Sequence, residues 1–251
     1  MLEEAAKEHT VFVYGKSETA AGGSTVFRAS VLFDDNFPAA YPFYIRNKSE
    51  YEMEGLTYQL NTIHGAADFD TPGGAVQAAA KLAVKINLAS KLRAERQNVL
   101  IHSEGQGHFA LWLAAYLNAA ETVGDCRYTI SGRNVLALAS TRAAMTTALV
   151  SASSMENSAV KSIAIIPSAD IFLDSQRLGA QEPFSLTAFF PETVTGTTWQ
   201  GLTRITAGGG IILVALSSVE AARFDKKKPP TVRRLADIKR NGFRALAYQS
   251  V

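Results

Sequence analysis

Apolar and polar positions alternate along Thr10 to Tyr14, Thr25 to Phe33, Tyr41 to Ile45 and Leu56 to Ile63, with Gly22-Gly23, Asp34-Asp35-Asn36 and Asn47-Lys48 between them. A period of two bounded by turn formers predicts strands with one buried face. The texture changes at Asp70-Thr71-Pro72, a helix-start signal, and Ala75 to Arg96 predicts one long helix with Lys81 and Lys85 on one face. Val99 to His102 reads as a short strand and Ser103 to Gly107 as a turn. Phe109, Trp112, Leu113, Tyr116, Leu117 and Ala120 then recur at helical spacing. Tyr128 to Ile130 and Val135 to Ala139 are expected as paired strands around Ser131-Gly132-Arg133-Asn134, followed by a helix over Thr141 to Ser153. Val160 to Ile166 is a β-branched run of the kind buried on both faces. Beyond Pro183, Phe184 to Phe190, Thr193 to Thr198, Gly201 to Thr206 and Ile211 to Leu216 read as hairpin-like strands. Thr231 is expected to cap a short helix that stops at Gly242.

The fold class that follows is α/β or α+β: a mixed central sheet, helices in the middle third, and β-rich N-terminal and C-terminal segments. One globular domain over residues 1–220 and a basic C-terminal segment over 221–251 suit the length of 251 residues. With 47% hydrophobic and 19% charged residues, the composition excludes disordered and collagenous classes. Met1 to His9 has neither the basic nor the apolar part of a secretory leader. No apolar run approaches the roughly 18 residues of a membrane span. The lone Cys126 cannot form an internal disulfide, so a reducing, cytoplasmic setting is expected.

Candidate chemistry centres on Val99 to Ala115, VLIHSEGQGHFALWLAA, a strand, a glycine turn and a buried helix. It resembles the nucleophile elbow of the α/β-hydrolases. That resemblance implies Ser103 as nucleophile, the Glu104 amide as an oxyanion donor, and Asp170 (or Asp174), after the strand at Val160, as the acid. Asp70 to Ala75, DTPGGA, together with the Gly105 to His108 turn, also resembles the ClpP/crotonase superfamily. The four histidines are His9, His64, His102 and His108, so none follows the acid as hydrolase order requires. Gly105-Gln106-Gly107 and Ala207 to Ile211 lack the spacing of a phosphate-binding fingerprint, and His64, Asp68 and Asp70 lack a diagnostic metal spacing. No cofactor and no metal is therefore expected.

Charge redirects the reading. The net charge is +2, yet Arg223 to Arg244 holds Arg223, Lys226, Lys227, Lys228, Arg233, Arg234, Lys239, Arg240 and Arg244 against Asp225 and Asp237, a local +7 that leaves −5 elsewhere. Such asymmetry suits an anionic partner. These nine residues are the candidate nucleic-acid or anion contacts, binding phosphates without reading bases. The expectation is a non-catalytic binding or assembly protein, a homo-oligomer or nucleic-acid partner, with a Ser103 hydrolase as the alternative.

Overall fold

Asp, Asn and Gly residues that tolerate left-handed backbone set the tight corners of this chain, and the strands and helices between them follow the apolar pattern. The computed structural model describes residues 12–19, 25–32, 44–68, 71–92, 96–102, 105–120, 125–153, 160–167, 182–191 and 194–251. The chain forms two compact units, residues 1–44 and 45–251. In the first, β1 (Phe12–Thr19) and β2 (Thr25–Leu32) pair as an antiparallel hairpin.

The second unit opens with another hairpin, β3 (Ile45–Met53) and β4 (Leu56–Ile63). Glu54 and Gly55, with φ of 48° and 76°, make its two-residue turn, the left-handed pair that matches the twist of flanking strands. Helix α1 (Gly74–Lys85) follows, and left-handed Asn87 separates it from the short α2 (Leu88–Lys91), so the single long helix expected from composition is interrupted. Five parallel strands then form the body: β5 (Arg96–His102), β6 (Asp125–Gly132), β7 (Val160–Pro167), β8 (Phe184–Phe189) and β9 (Thr206–Ser217). They are joined through α3 (His108–Ala119), α4 (Val135–Ser153) and α5 (Thr198–Ile205). After α6 (Ser218–Lys226) the chain ends in β10 (Val232–Arg240) and β11 (Phe243–Ser250).

The sheet order is β10-β11-β9-β8-β5-β6-β7. β11 is antiparallel to both of its neighbours, which leaves β10 parallel to β9. Successive residues of β5 point to opposite faces and fill two cores. Val99 and Ile101 join the cluster beneath α1, α3 and α4 with Phe109 and Trp112, whereas Leu100 joins Trp199, Phe224 and Tyr248 beneath α5 and α6. This is a three-layer α/β fold, as the mixed-sheet reading expects.

Several local expectations change. The paired strands at Tyr128 and Val135 are one strand and the start of α4. β7 is an edge strand with Ser162 and Ala164 exposed, not a strand buried on both faces. Thr198–Ile205 is helical because Trp199, Leu202 and Ile205 share one buried face. The C-terminal segment expected as a helix is β10 and lies in the sheet.

Candidate functional site

The chain leaves β5 toward β6 and β7, then returns to β8 on the other side of β5. The C-terminal ends of β5 and β8 therefore diverge at a topological switch point, where open α/β sheets bind their ligands. Gly105 and Gly107 follow β5 with φ of 97° and 99°, values that favour glycine. Gly107 is also fixed by packing: a β-carbon there would collide with the Thr141 hydroxyl of α4. That hydroxyl donates to the Gln106 carbonyl at 3.2 Å and the Ala137 carbonyl at 2.8 Å, two alternatives for one proton. The buried Gln106 side chain clamps the turn to β4, donating to the Ile63 carbonyl and accepting from its amide, both at 3.0 Å.

The described strand ends carry no carboxylate. His102 is buried, its Nδ1 lies 3.2 Å from Ser131 Oγ at the end of β6, and its ring stacks on Phe189 of β8 at 5.3 Å. Phe190 is buried against Phe109, 5.0 Å between rings. A carboxylate reaches this edge from the β4 to α1 connection instead. Asp68 has a left-handed backbone, φ 59°, and accepts the Gly73 amide. A β-carbon on Gly105 would lie 3.3 Å from its Oδ2. Burial pushes the Asp68 carboxyl up, partly offset by the Gly73 amide. His108, the first residue of α3, sits alongside with Nδ1 3.0 Å from the Tyr58 hydroxyl and the Tyr51 ring 4.7 Å away. Burial lowers its pKa to about 4, against a smaller opposite pull from the Asp68 backbone, so the imidazole is neutral near pH 7.

Ser103, Glu104 and Asp170 lie outside the described residues, between His102 and Gly105 in the chain and after β7 respectively. The nine basic residues do not form one surface. Val232 opposes Ser250, whereas Arg240 opposes Phe243, which in turn opposes Ser217 at the C-terminal end of β9. Lys239, Arg240 and Arg244 thus lie toward the switch-point edge, and Lys226, Lys227, Lys228 and Arg233 toward the opposite edge. Much of the charge is also neutralised internally. Arg234 pairs with Asp225 at 2.8 Å and with Asp237, and Arg244 pairs with Asp237 at 2.8 Å. Arg240 reaches Glu54 at 3.1 Å, and Arg223 reaches Glu220 at 2.7 Å. Lys228 donates to the Val232 carbonyl at 2.7 Å and Arg233 to Gln249 at 2.8 Å. Lys226, Lys227 and Lys239 are exposed and make no ion pair among the described residues. Sequence reasoning missed Asp68 as part of this edge, because only the fold brings it beside Gly105.

A sheet with a reversed strand inserted beside its last parallel one, and a glycine turn at the switch point, defines the Rossmann-like methyltransferase fold. Solved structures agree. The chain matches the Thermus thermophilus 16S rRNA N2 G1207 methyltransferase, solved with AdoMet and guanosine, with a TM-score of 0.56 and 13% identity over 100% of this chain and 61% of that one. A putative SAM-dependent methyltransferase from Streptococcus mutans matches with a TM-score of 0.52 and 10% identity, over 88% and 58% of the two chains. Trm5b from Pyrococcus abyssi matches with a TM-score of 0.50 and 11% identity, over 98% and 67%. The chain thus spans about three fifths of the length of the first two. No protein-family model and no curated protein sequence matches it.

These likenesses correct the resemblance to α/β-hydrolases and to the ClpP/crotonase superfamily: the neighbours are methyltransferases. The strand, glycine turn and helix around Ser103 is a device that hydrolases share with cofactor-binding α/β folds, which is why it misled. The same finding corrects both functional expectations, the non-catalytic assembly protein and the serine hydrolase, since the neighbours are enzymes of another class. Among the described residues, no helix is long and apolar enough to cross a membrane.

The backbone of the switch-point edge fits an S-adenosylmethionine cofactor. Its turn carries two left-handed glycines before a helix N-terminus, a polar backbone cradle of the type that receives carboxylates. A half-buried carboxylate at Asp68 stands beside it.

Proposed function

We propose that this chain is an S-adenosylmethionine-dependent methyltransferase acting on RNA. The observation that carries the reading is the Gly105–Gly107 turn at the switch point of a sheet ordered β10-β11-β9-β8-β5-β6-β7. The rRNA substrate named for one structural neighbour supports the RNA part, as do Lys226, Lys227 and Lys239, exposed cations suited to phosphates.

When bound, the cofactor supplies an electrophilic methyl group on a sulfonium. Gly105 and Gly107 would cradle its amino-acid end. Ser131, at the end of β6, and Asn134, just beyond it, would offer neutral hydrogen-bonding groups to its ribose. His102, packed on Phe189, holds Ser131 in place, and Phe189 with Phe190 closes the wall of the edge to water. The test is transfer of labelled methyl from S-adenosylmethionine to total cellular RNA. Incorporation above that of a heat-denatured control is the expected result. Absence of both cofactor binding and methyl incorporation overturns the reading.

A further inference from the structure

We propose that Asp68 is the anionic partner for the cationic amino-acid end of the methyl donor. This deepens the methyltransferase reading and rests on it. The donor's methionyl end carries an ammonium and a sulfonium as well as a carboxylate. The amides at the start of α3 suit the carboxylate. They repel the two cationic centres, which need an anion nearby.

None of the described residues at the ends of β5, β6 and β8 is a carboxylate: His102, Ser131, Gly132 and Phe189 stand there. Asp68 comes from a different element and is closely held. Its left-handed backbone is one that Asp tolerates better than most residues. Its carboxylate is wedged between two glycines, Gly73 and Gly105, and a side chain on the first would collide with it. At Gly105 an added β-carbon would stand 3.3 Å from Oδ2.

Only part of that carboxylate's accepting capacity is used. It takes the Gly73 amide, and it has no ion pair among the described residues, whereas an ionised carboxylate accommodates about four donors. The neighbouring His108 is buried, with Nδ1 3.0 Å from the Tyr58 hydroxyl. Because burial keeps that ring neutral, it does not compete with an incoming cation. Burial also raises the Asp68 pKa, the signature of a carboxylate that a cation would relieve.

The experiment compares wild type, Asp68→Asn and Asp68→Glu by calorimetry with two probes. S-adenosylmethionine carries the charged end, and 5′-methylthioadenosine lacks it. The expected result is at least a tenfold loss of S-adenosylmethionine affinity in Asp68→Asn, methylthioadenosine affinity within twofold of wild type, and partial recovery in Asp68→Glu. If wild type binds S-adenosylmethionine and Asp68→Asn binds it equally well, the inference fails while the methyltransferase reading stands. Equal losses for both probes overturn the inference too, because Asp68 would then serve only the shape of the edge. If wild type binds neither probe, the methyltransferase reading fails and takes the inference with it.

Discussion

Gln106 shows how much a single side chain carries at this edge. Its amide satisfies both backbone groups of Ile63 from within the core, where neither could reach water. Gln106→Ala leaves the buried Ile63 N–H without a partner and its C=O with only the 3.4 Å bond from the Ala66 amide, at a cost of about 1–3 kcal/mol, and a denaturant titration should show it as a lower midpoint with little change in slope. His108 makes a prediction about acid. Its folded pKa of about 4 lies below the ordinary value of 6.5, so the unfolded chain binds the proton more readily between those pH values. Stability therefore rises with pH across that window, by at most about 3 kcal/mol. His108→Gln should flatten the dependence of unfolding free energy on pH between 4 and 6.5, and an unchanged slope would assign the acid sensitivity elsewhere. Asp237 acts lower on the scale. Burial alone would raise its carboxyl, but hydrogen bonds from Arg244 and Arg234 outweigh that and hold it below the usual range, so its contribution is lost only as pH falls below about 4.

Among the elements, the packing of α3 on α4 is set by one missing atom. Gly107 combines a φ of 99° with a position hard against Thr141. Gly107→Ala should therefore destabilise by about 2–4 kcal/mol. Pairing it with Thr141→Ala should recover most of the steric part, since only the residue 141 β-carbon at 2.9 Å then remains, and leave the backbone strain of about 1 kcal/mol; full recovery in the double variant would show that strain contributes nothing. Turn chemistry also explains what the sequence revealed and what it hid. Asn241 and Gly242, with φ of 49° and 80°, form the same left-handed pair as Glu54-Gly55 and join two strands. An Asn-Gly pair is a strong hairpin signal, yet Val232, Leu235 and Ile238 recur every third residue and suggest a helix. The reason is the register shift between Arg234 and Ala236, which breaks strict alternation so that a strand takes on a helix-like period. By contrast Val99 to His102 and the α3 pattern were plain, since a short apolar run and a strongly periodic one leave little ambiguity.

For the whole molecule, uneven charge along the chain was legible but its meaning was not. A run of basic residues counted along the sequence becomes, in the sheet, two groups at opposite ends of the strands with an ion-paired set between them. Asp68 was hidden for the converse reason, being distant in sequence from the turn it meets. The two classes of cation should separate in experiment. Lys226→Ala with Lys227→Ala should reduce the salt dependence of RNA affinity, by about one unit of slope for each phosphate no longer neutralised, with thermal stability unchanged. Arg234→Ala should instead cost about 1 kcal/mol of stability, because Asp225 and Asp237 lose a partly exposed partner while keeping Tyr248 and Arg244. A double lysine variant with unaltered salt slope would remove that edge from the RNA interface.

The reversed strand also orders assembly in time. β10 precedes β11 in the chain but can reach β9 only through it, since β11 lies between them. During synthesis β10 therefore has no place in the sheet until β11 has emerged and paired with β9. Until then Leu235 and Ile238, which pack against the core beneath α1, have nothing beside them. Amides of β10 should accordingly gain protection from exchange no earlier than those of β11 when refolding is followed by pulse labelling, and protection of β10 first would show that the hairpin forms before it docks.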